Sequence, residues 1–123
     1  MIKPLTFKDL IAWQKGHEFV IRIYELTKTF PKEELYVLTS QMRRSAISIT
    51  SNIAEGFSRK SHKEKIQFYT IARGSLTEIE NQLLIARDIG YIKKEHFDLI
   101  INSLTDIHKL INGLIKSLSV PKS

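Results

Sequence analysis

Over residues 97–118, apolar side chains recur at alternating spacings of four and three: Phe97, Ile101, Leu104, His108, Ile111, Ile115 and Leu118, with only His108 departing from apolar character. Ile100, Ile107 and Leu114 flank this row, and Asn102, Asp106, Lys109, Gly113 and Lys116 lie opposite it. Residues three and four apart both share a face in an α-helix, whereas in a strand residues three apart lie on opposite faces. The pattern therefore predicts a helix over about 93–119 with one apolar face, stopped by Pro121. A helix of that kind must bury its face against other elements.

Three more segments carry the same period. About 7–30 places Ala12, Gly16, Phe19, Ile23, Leu26 and Phe30 in one stripe and Leu10, Trp13, Val20 and Tyr24 in a second, with Lys15, Glu18, Arg22 and Glu25 on the wet side. The apolar face is wider than one intramolecular seam requires. Thr6 and Asp9 form a capping box with Asp in place of Glu, and Pro31 ends the segment. About 32–59 carries Leu38, Met42, Ile49, Ile53 and Phe57, with Ala46 and Ala54 beside them and an irregularity expected near Tyr36 and Val37. Gly56 is placed to serve its C-terminus. About 62–89 opens on a Ser61–Glu64 capping box and closes at Gly90. Phe68, Ile71, Ala72, Ser75, Leu76, Ile79, Leu83 and Ala86 are expected inward, and Gly74 with Ser75 is expected to admit a neighbouring helix closely. No segment shows sustained strand alternation.

Four helices of about 25 residues, each ~38 Å long, joined by connections of a few residues, make consecutive helices antiparallel neighbours. The predicted fold is all-α: a single-domain, up-down-up-down four-helix bundle. With no Cys in the chain, disulfides and thiolate metal sites are excluded. No apolar run approaches the ~20 residues of a membrane span, and the first ten residues lack the apolar stretch of a signal peptide, so a cytoplasmic protein is expected.

The net charge of +6 is unevenly distributed. Residues 41–73 hold Arg43, Arg44, Arg59, Lys60, Lys63, Lys65 and Arg73 against Glu55 and Glu64, so most of the excess is local. Antiparallel topology gathers Lys3, Lys8, Arg59, Lys60, Lys63, Lys65, Lys116 and Lys122 at one end and leaves a mixture of both signs at the other. A local excess of this kind suits an anionic partner, with RNA or DNA phosphates the obvious class. The same pattern on a solvated surface serves solubility alone.

The chain offers no site for familiar chemistry. His17, His62, His96 and His108 fall in no H-E-x-x-H or Glu-x-x-His arrangement, and His17 and His108 lie on or beside apolar stripes, where packing is expected. Neither a glycine-rich phosphate loop nor a nucleophile elbow occurs. No metal, cofactor or catalytic residue is expected. The row Gln41, Arg44, Ser48, Asn52 and Glu55 has a catalytic reading through Arg44 and Glu55. It reads better as small and polar residues that let helices approach and fix their register. Trp13, a candidate base-stacking platform, reads better as core or interface. Trp13, Gln41, Ser48, Asn52, Glu55, Gly56 and Gly74 are thus the structural or interface candidates. The four Tyr are too scattered in sequence to form an aromatic row.

Three stretches carry a family resemblance: "FKDLIAWQKGHEF", "FPKEELYVLTSQMRRSAISITSNIAEGFSRKS" and "FYTIARGSLTEIENQLLIARDIGYI". They resemble the four-helix-bundle proteins encoded in intervening sequences of bacterial 23S ribosomal RNA genes, over about residues 5–92. The run from Gln41 to Gly56, followed by Arg59 and by Ala72 to Leu76, is its most specific part; Val37 and Thr50 stand where that family often has Gly and Pro. The resemblance implies a homopentamer of four-helix bundles without enzymatic activity. The similar accessory proteins of diversity-generating retroelements imply association with nucleic acid and a reverse transcriptase through basic surfaces. By position, Arg43, Arg44, Arg59, Lys60 and Lys63 carry over as candidate contacts. Two functions follow as expectations: nucleic-acid association through the basic end, or a structural module whose partner is another protein.

Overall fold

A computed structural model describes residues 3–119 of the chain. The described residues form four long helices and no strand: α1 (Ile11–Thr27), α2 (Ser40–Ser58), α3 (His62–Asp88) and α4 (Lys94–Ser119). Pro121 and Lys122, expected to stop the last helix and to join the basic end, lie outside the described residues.

The first helix is shorter than its apolar pattern predicts. The Thr6–Asp9 capping box is present, but it caps a separate 3-10 turn, Phe7–Asp9. Backbone N–H groups of Thr6 and Leu5 donate to the Asp9 carboxylate at 3.0 and 2.9 Å, which holds its pKa below the ordinary carboxylate value. Leu10 then adopts an extended backbone, φ −76° and ψ 128°, so α1 begins afresh at Ile11. Apolar spacing continues across such a break because the turn and the helix present side chains to the same neighbour. At the other end, α1 stops at Thr27, whose hydroxyl donates back to the Ile23 carbonyl at 2.7 Å.

The irregularity expected near Tyr36 and Val37 is a π-helical turn, Leu35–Thr39, preceded by a 3-10 turn, Lys32–Glu34. The wider turn leaves Leu35, Tyr36 and Val37 exposed in succession before Leu38 turns inward. The Ser61 hydroxyl accepts the Glu64 N–H at 3.1 Å and starts α3, although the Glu64 carboxylate contacts that hydroxyl and not the Ser61 backbone. α3 closes as expected at Gly90, whose φ of +90° suits glycine. Tyr91 N–H donates to Ala86 O, and Gly90 N–H to Arg87 O, completing a Schellman motif. The Tyr91 hydroxyl donates to Glu34 at 2.7 Å and ties the two loops at that end together; this bond to a carboxylate raises its pKa.

One hydrophobic core draws on all four helices. Its largest fully buried side chains are Phe19 and Ile23 of α1, Met42, Ile49 and Ile53 of α2, Leu76, Ile79 and Leu83 of α3, and Ile107 and Ile111 of α4. α1 packs against α2 and α4, and α3 packs against the same two helices. Five inward assignments shift. The buried row of α3 is Tyr69, Ala72, Leu76, Ile79, Leu83 and Ala86, which leaves Ile71 one position off the axis and half exposed. The buried row of α4 is Phe97, Ile100, Leu104, Ile107 and Ile111, with Ile101, His108 and Ile115 on its shoulder. His17 is exposed and stacked on Trp13, with ring centres 4.8 Å apart, so it is not a packed core histidine.

Small and polar residues line the seam between α2 and α3. Ser45 donates to the Glu78 carboxylate at 2.6 Å, and Ser75 donates to the Ser48 hydroxyl at 2.8 Å. Asn52 folds back onto Ser48 O and Oγ, at 2.8 and 3.1 Å. Gly56 is buried within α2, and its conformation is not left-handed, so it does not act as a C-terminal glycine. A Cβ there would lie 2.7 Å from a ring carbon of buried Tyr69 and 3.2 Å from Phe68 Cβ. A Cβ at Gly74, by contrast, would meet nothing within 4 Å among the described residues, so of the expected pair Ser75, which meets Ser48, is the one at a close approach. Gly56→Ala should lower stability in urea unfolding, because an overpacking cost of about 1–3 kcal/mol exceeds the ~1 kcal/mol helix-propensity gain.

Candidate nucleic-acid interface

The basic cluster around residues 59–65 is built on the tight turn from α2 to α3. α2 ends at Ser58, Arg59 is extended (φ −76°, ψ 152°), and Ser61 caps α3. Two of the four cations in this turn are committed to the fold. Arg59 spans the turn, reaching Glu55 of α2 at 3.4 Å and Glu64 of α3 at 3.9 Å. Its guanidinium also lies 4.7 Å from the centre of the Phe68 ring. Lys65 donates to the Phe57 carbonyl at 2.7 Å, near the open end of α2, and more weakly to the Gly56 carbonyl at 3.4 Å, which also accepts the Arg59 N–H. Lys60 and Lys63 are exposed and form no ion pair among the described residues. They are the cations of this turn that remain available to an anion.

The other candidates lie elsewhere. Arg43 and Arg44 sit early in α2, with Arg44 roughly 22 Å from Arg59 along the helix axis. Arg43 donates from Nε to Thr27 Oγ1 at 2.9 Å and lies 4.6 Å over the Tyr24 ring. Arg73 donates to Asn112 Oδ1 at 3.0 Å, between α3 and α4. The seven cations therefore do not make one patch. They divide among the α2–α3 turn, the α1–α2 face and the α3–α4 seam.

The polar row likewise separates into parts. Arg44 and Glu55 lie roughly 16 Å apart along α2, and Glu55 is engaged by Arg59. Ser48 and Asn52 belong to the α2–α3 seam, while Gln41 is exposed. Trp13 is half-buried against the core, with Phe7 edge-on at 5.3 Å. Among the described residues no three His, Asp or Glu side chains converge as metal ligands, and no helix is long and apolar enough to cross a membrane.

A further grouping is not visible in the linear sequence. Tyr24, Leu35, Tyr36, Ser40, Arg43, Arg44 and Ile47 line an open concavity of about 470 Å³. Tyr24 and Arg43 are far apart in sequence and meet only when α1 packs on α2. The one local signal for it is the apolar triplet Leu35-Tyr36-Val37, which lies off the periodic stripe.

The model of the 23S rRNA-intervening sequence protein family matches residues 8–113. The chain belongs to that family. A crystal structure of a protein of unknown function from the S23 ribosomal protein family of Bacteroides thetaiotaomicron is similar over 89% of this chain and 98% of that one. The two share 34% sequence identity and a TM-score of 0.81. No protein of curated function matches. The four-helix architecture is thus shared with a family relative, while the division of the cations is read from this chain's own contacts.

Arg59→Ala should lower stability by about 1 kcal/mol, the size expected of half-exposed ion pairs and one cation–π contact together. Urea unfolding at low and high salt checks this, with the smaller loss expected at high salt.

Proposed function

We propose that this chain is a non-catalytic, self-associating four-helix bundle that associates with nucleic acid, RNA above all, through its basic end. The observation that carries the reading is the pair of exposed lysines, Lys60 and Lys63, without an ion-pair partner among the described residues, on a turn whose other two cations hold the fold. In the proposed bundle the helices run alternately up and down. The pairs Ser45–Glu78, Ser48–Ser75 and Gly56–Tyr69 between α2 and α3 support this, as do Arg73–Asn112 and Arg87–Phe97 between α3 and α4. That arrangement brings Lys3, Lys8 and Lys116 toward the end that holds Lys60 and Lys63. The family's description, which refers to intervening sequences of 23S rRNA, favours RNA over other polyanions.

The assembly in this reading is a homopentamer in the cytoplasm. Exposed Ile11 and Ile21 on α1 and open space around Gly74 on α3 support contact with further copies. A ring multiplies a weak basic site severalfold and gains affinity through avidity. A second reading, a module for a protein partner, is favoured by Ile71, Ile85 and Ile89, all exposed along α3 and its C-terminal end. Retention of a stoichiometric protein partner without nucleic acid during native purification would select it.

Light scattering is expected to give a mass near five times 14.2 kDa; a monomer overturns the assembly. Mobility shifts with RNA should show binding that weakens as salt rises. Lys60→Glu combined with Lys63→Glu should strongly weaken that binding at moderate salt and leave the thermal midpoint unchanged. Absence of binding by the unaltered protein at low salt, or indifference to the double variant, overturns the nucleic-acid reading.

A further inference from the structure

The concavity between α1 and the start of α2 combines features that are separate elsewhere on the molecule. Tyr36 is 88% exposed, the highest value among the described large apolar and aromatic side chains, yet it stands on helical backbone. The π turn puts it there, by rotating residues 35–37 off the core axis before Leu38 rejoins it. Turns of this type occur often at functional sites. Beside it, Arg43 lies over Tyr24 and is tied there by its bond to Thr27, and its terminal nitrogens have no hydrogen-bond partner among the described residues. Arg44 pairs with no carboxylate among the described residues. The lining holds two guanidinium groups and no acid. Of the two carboxylates adjacent in sequence to the lining, Glu34 is engaged by the Tyr91 hydroxyl and Glu25 lines a different concavity.

An exposed aromatic ring, a tethered guanidinium and an arginine without an ion-pair partner among the described residues together match the parts of a single nucleic-acid strand. A base offers a π-face to Tyr36, and its phosphates offer charge-assisted, bidentate acceptors to Arg44 and to the terminal nitrogens of Arg43. A purely apolar partner would leave both guanidinium groups desolvated without an anion. We infer that this surface is a docking platform for single-stranded nucleic acid, on which a base stacks against Tyr36 while Arg43 and Arg44 take the flanking phosphates. The inference rests on the nucleic-acid reading above and adds a second contact, distinct from Lys60 and Lys63, with a preference for unpaired strands.

The test measures binding of the full chain to a labelled single-stranded RNA and to a duplex of the same sequence, for the unaltered protein, Tyr36→Ala, Tyr36→Phe and Arg44→Gln. Tyr36→Ala is expected to weaken single-strand binding about tenfold, the loss of one stacked base, with duplex binding and the slope against salt unchanged. Tyr36→Phe keeps the ring and should retain affinity. Arg44→Gln should weaken binding and make the salt slope shallower. Circular dichroism melts check that each variant folds, and light scattering checks its mass. Undiminished single-strand binding by Tyr36→Ala overturns this inference and leaves the basic-end reading standing. A fall in assembly mass in Tyr36→Ala also overturns it, by making the surface a contact between copies. Absence of nucleic-acid binding by the unaltered protein overturns both.

Discussion

The close approach of α2 to α3 is the constraint on which the rest of the structure depends. Large side chains from both helices fill the core, but helices come near enough to share it only where something small lies between them. Gly56 meets the buried Tyr69 ring, Ser48 meets Ser75, and Ser45 reaches Glu78. The hydroxyl pairs give the seam a direction-dependent register that apolar contact alone lacks. Once that register is set, the end of α2 and the start of α3 face each other across a short turn. Arg59 and Lys65 then have their partners fixed for them: two carboxylates and two helix-end carbonyls.

This dependence divides the positive charge into two kinds. Some cations are parts of the fold: Arg59 braces a turn, Lys65 closes a helix, Arg43 bridges α1 and α2, and Arg73 links α3 to α4. Others, Arg44, Lys60 and Lys63, project without an ion-pair partner among the described residues. Formal charge counts both kinds alike, whereas an approaching polyanion responds mainly to the second.

The four-helix architecture was legible because helical period is a local property that repeats along each segment. The breakers were legible too: Gly90 with its positive φ, Ser61 at the start of α3, and the irregularity ahead of α2 all fall where spacing and residue type put them. The exact axis of burial was not. In α3 and α4 several adjacent rows are apolar, and which one faces inward depends on how the neighbouring helices straddle it, so Tyr69 is buried while Ile71 is not. The break at Leu10 was hidden for a related reason, since apolar spacing passes through a turn that keeps the same side inward. The candidate site was legible as a set of cations and not as a grouping. Partners such as Thr27 for Arg43 and Asn112 for Arg73 come from other helices, and no local pattern announces them.

The π turn has a further meaning for how the chain can change. A ring closed from residue i to i+5 contains one residue more than the ring of an ordinary helix. It accommodates a surplus residue at the start of the helix, and Met42, Ala46, Ile49 and Ile53 beyond it face the core. The surplus appears at the surface, in the outward-turned triplet that ends with Val37. Loss of a single residue within 35–39 would let the helix close to its normal pitch while the core face of α2 kept its aim. The segment is therefore a built-in adjustment point: a lineage of such proteins can gain or shed an exposed aromatic there while the packing that folds the chain stays as it is.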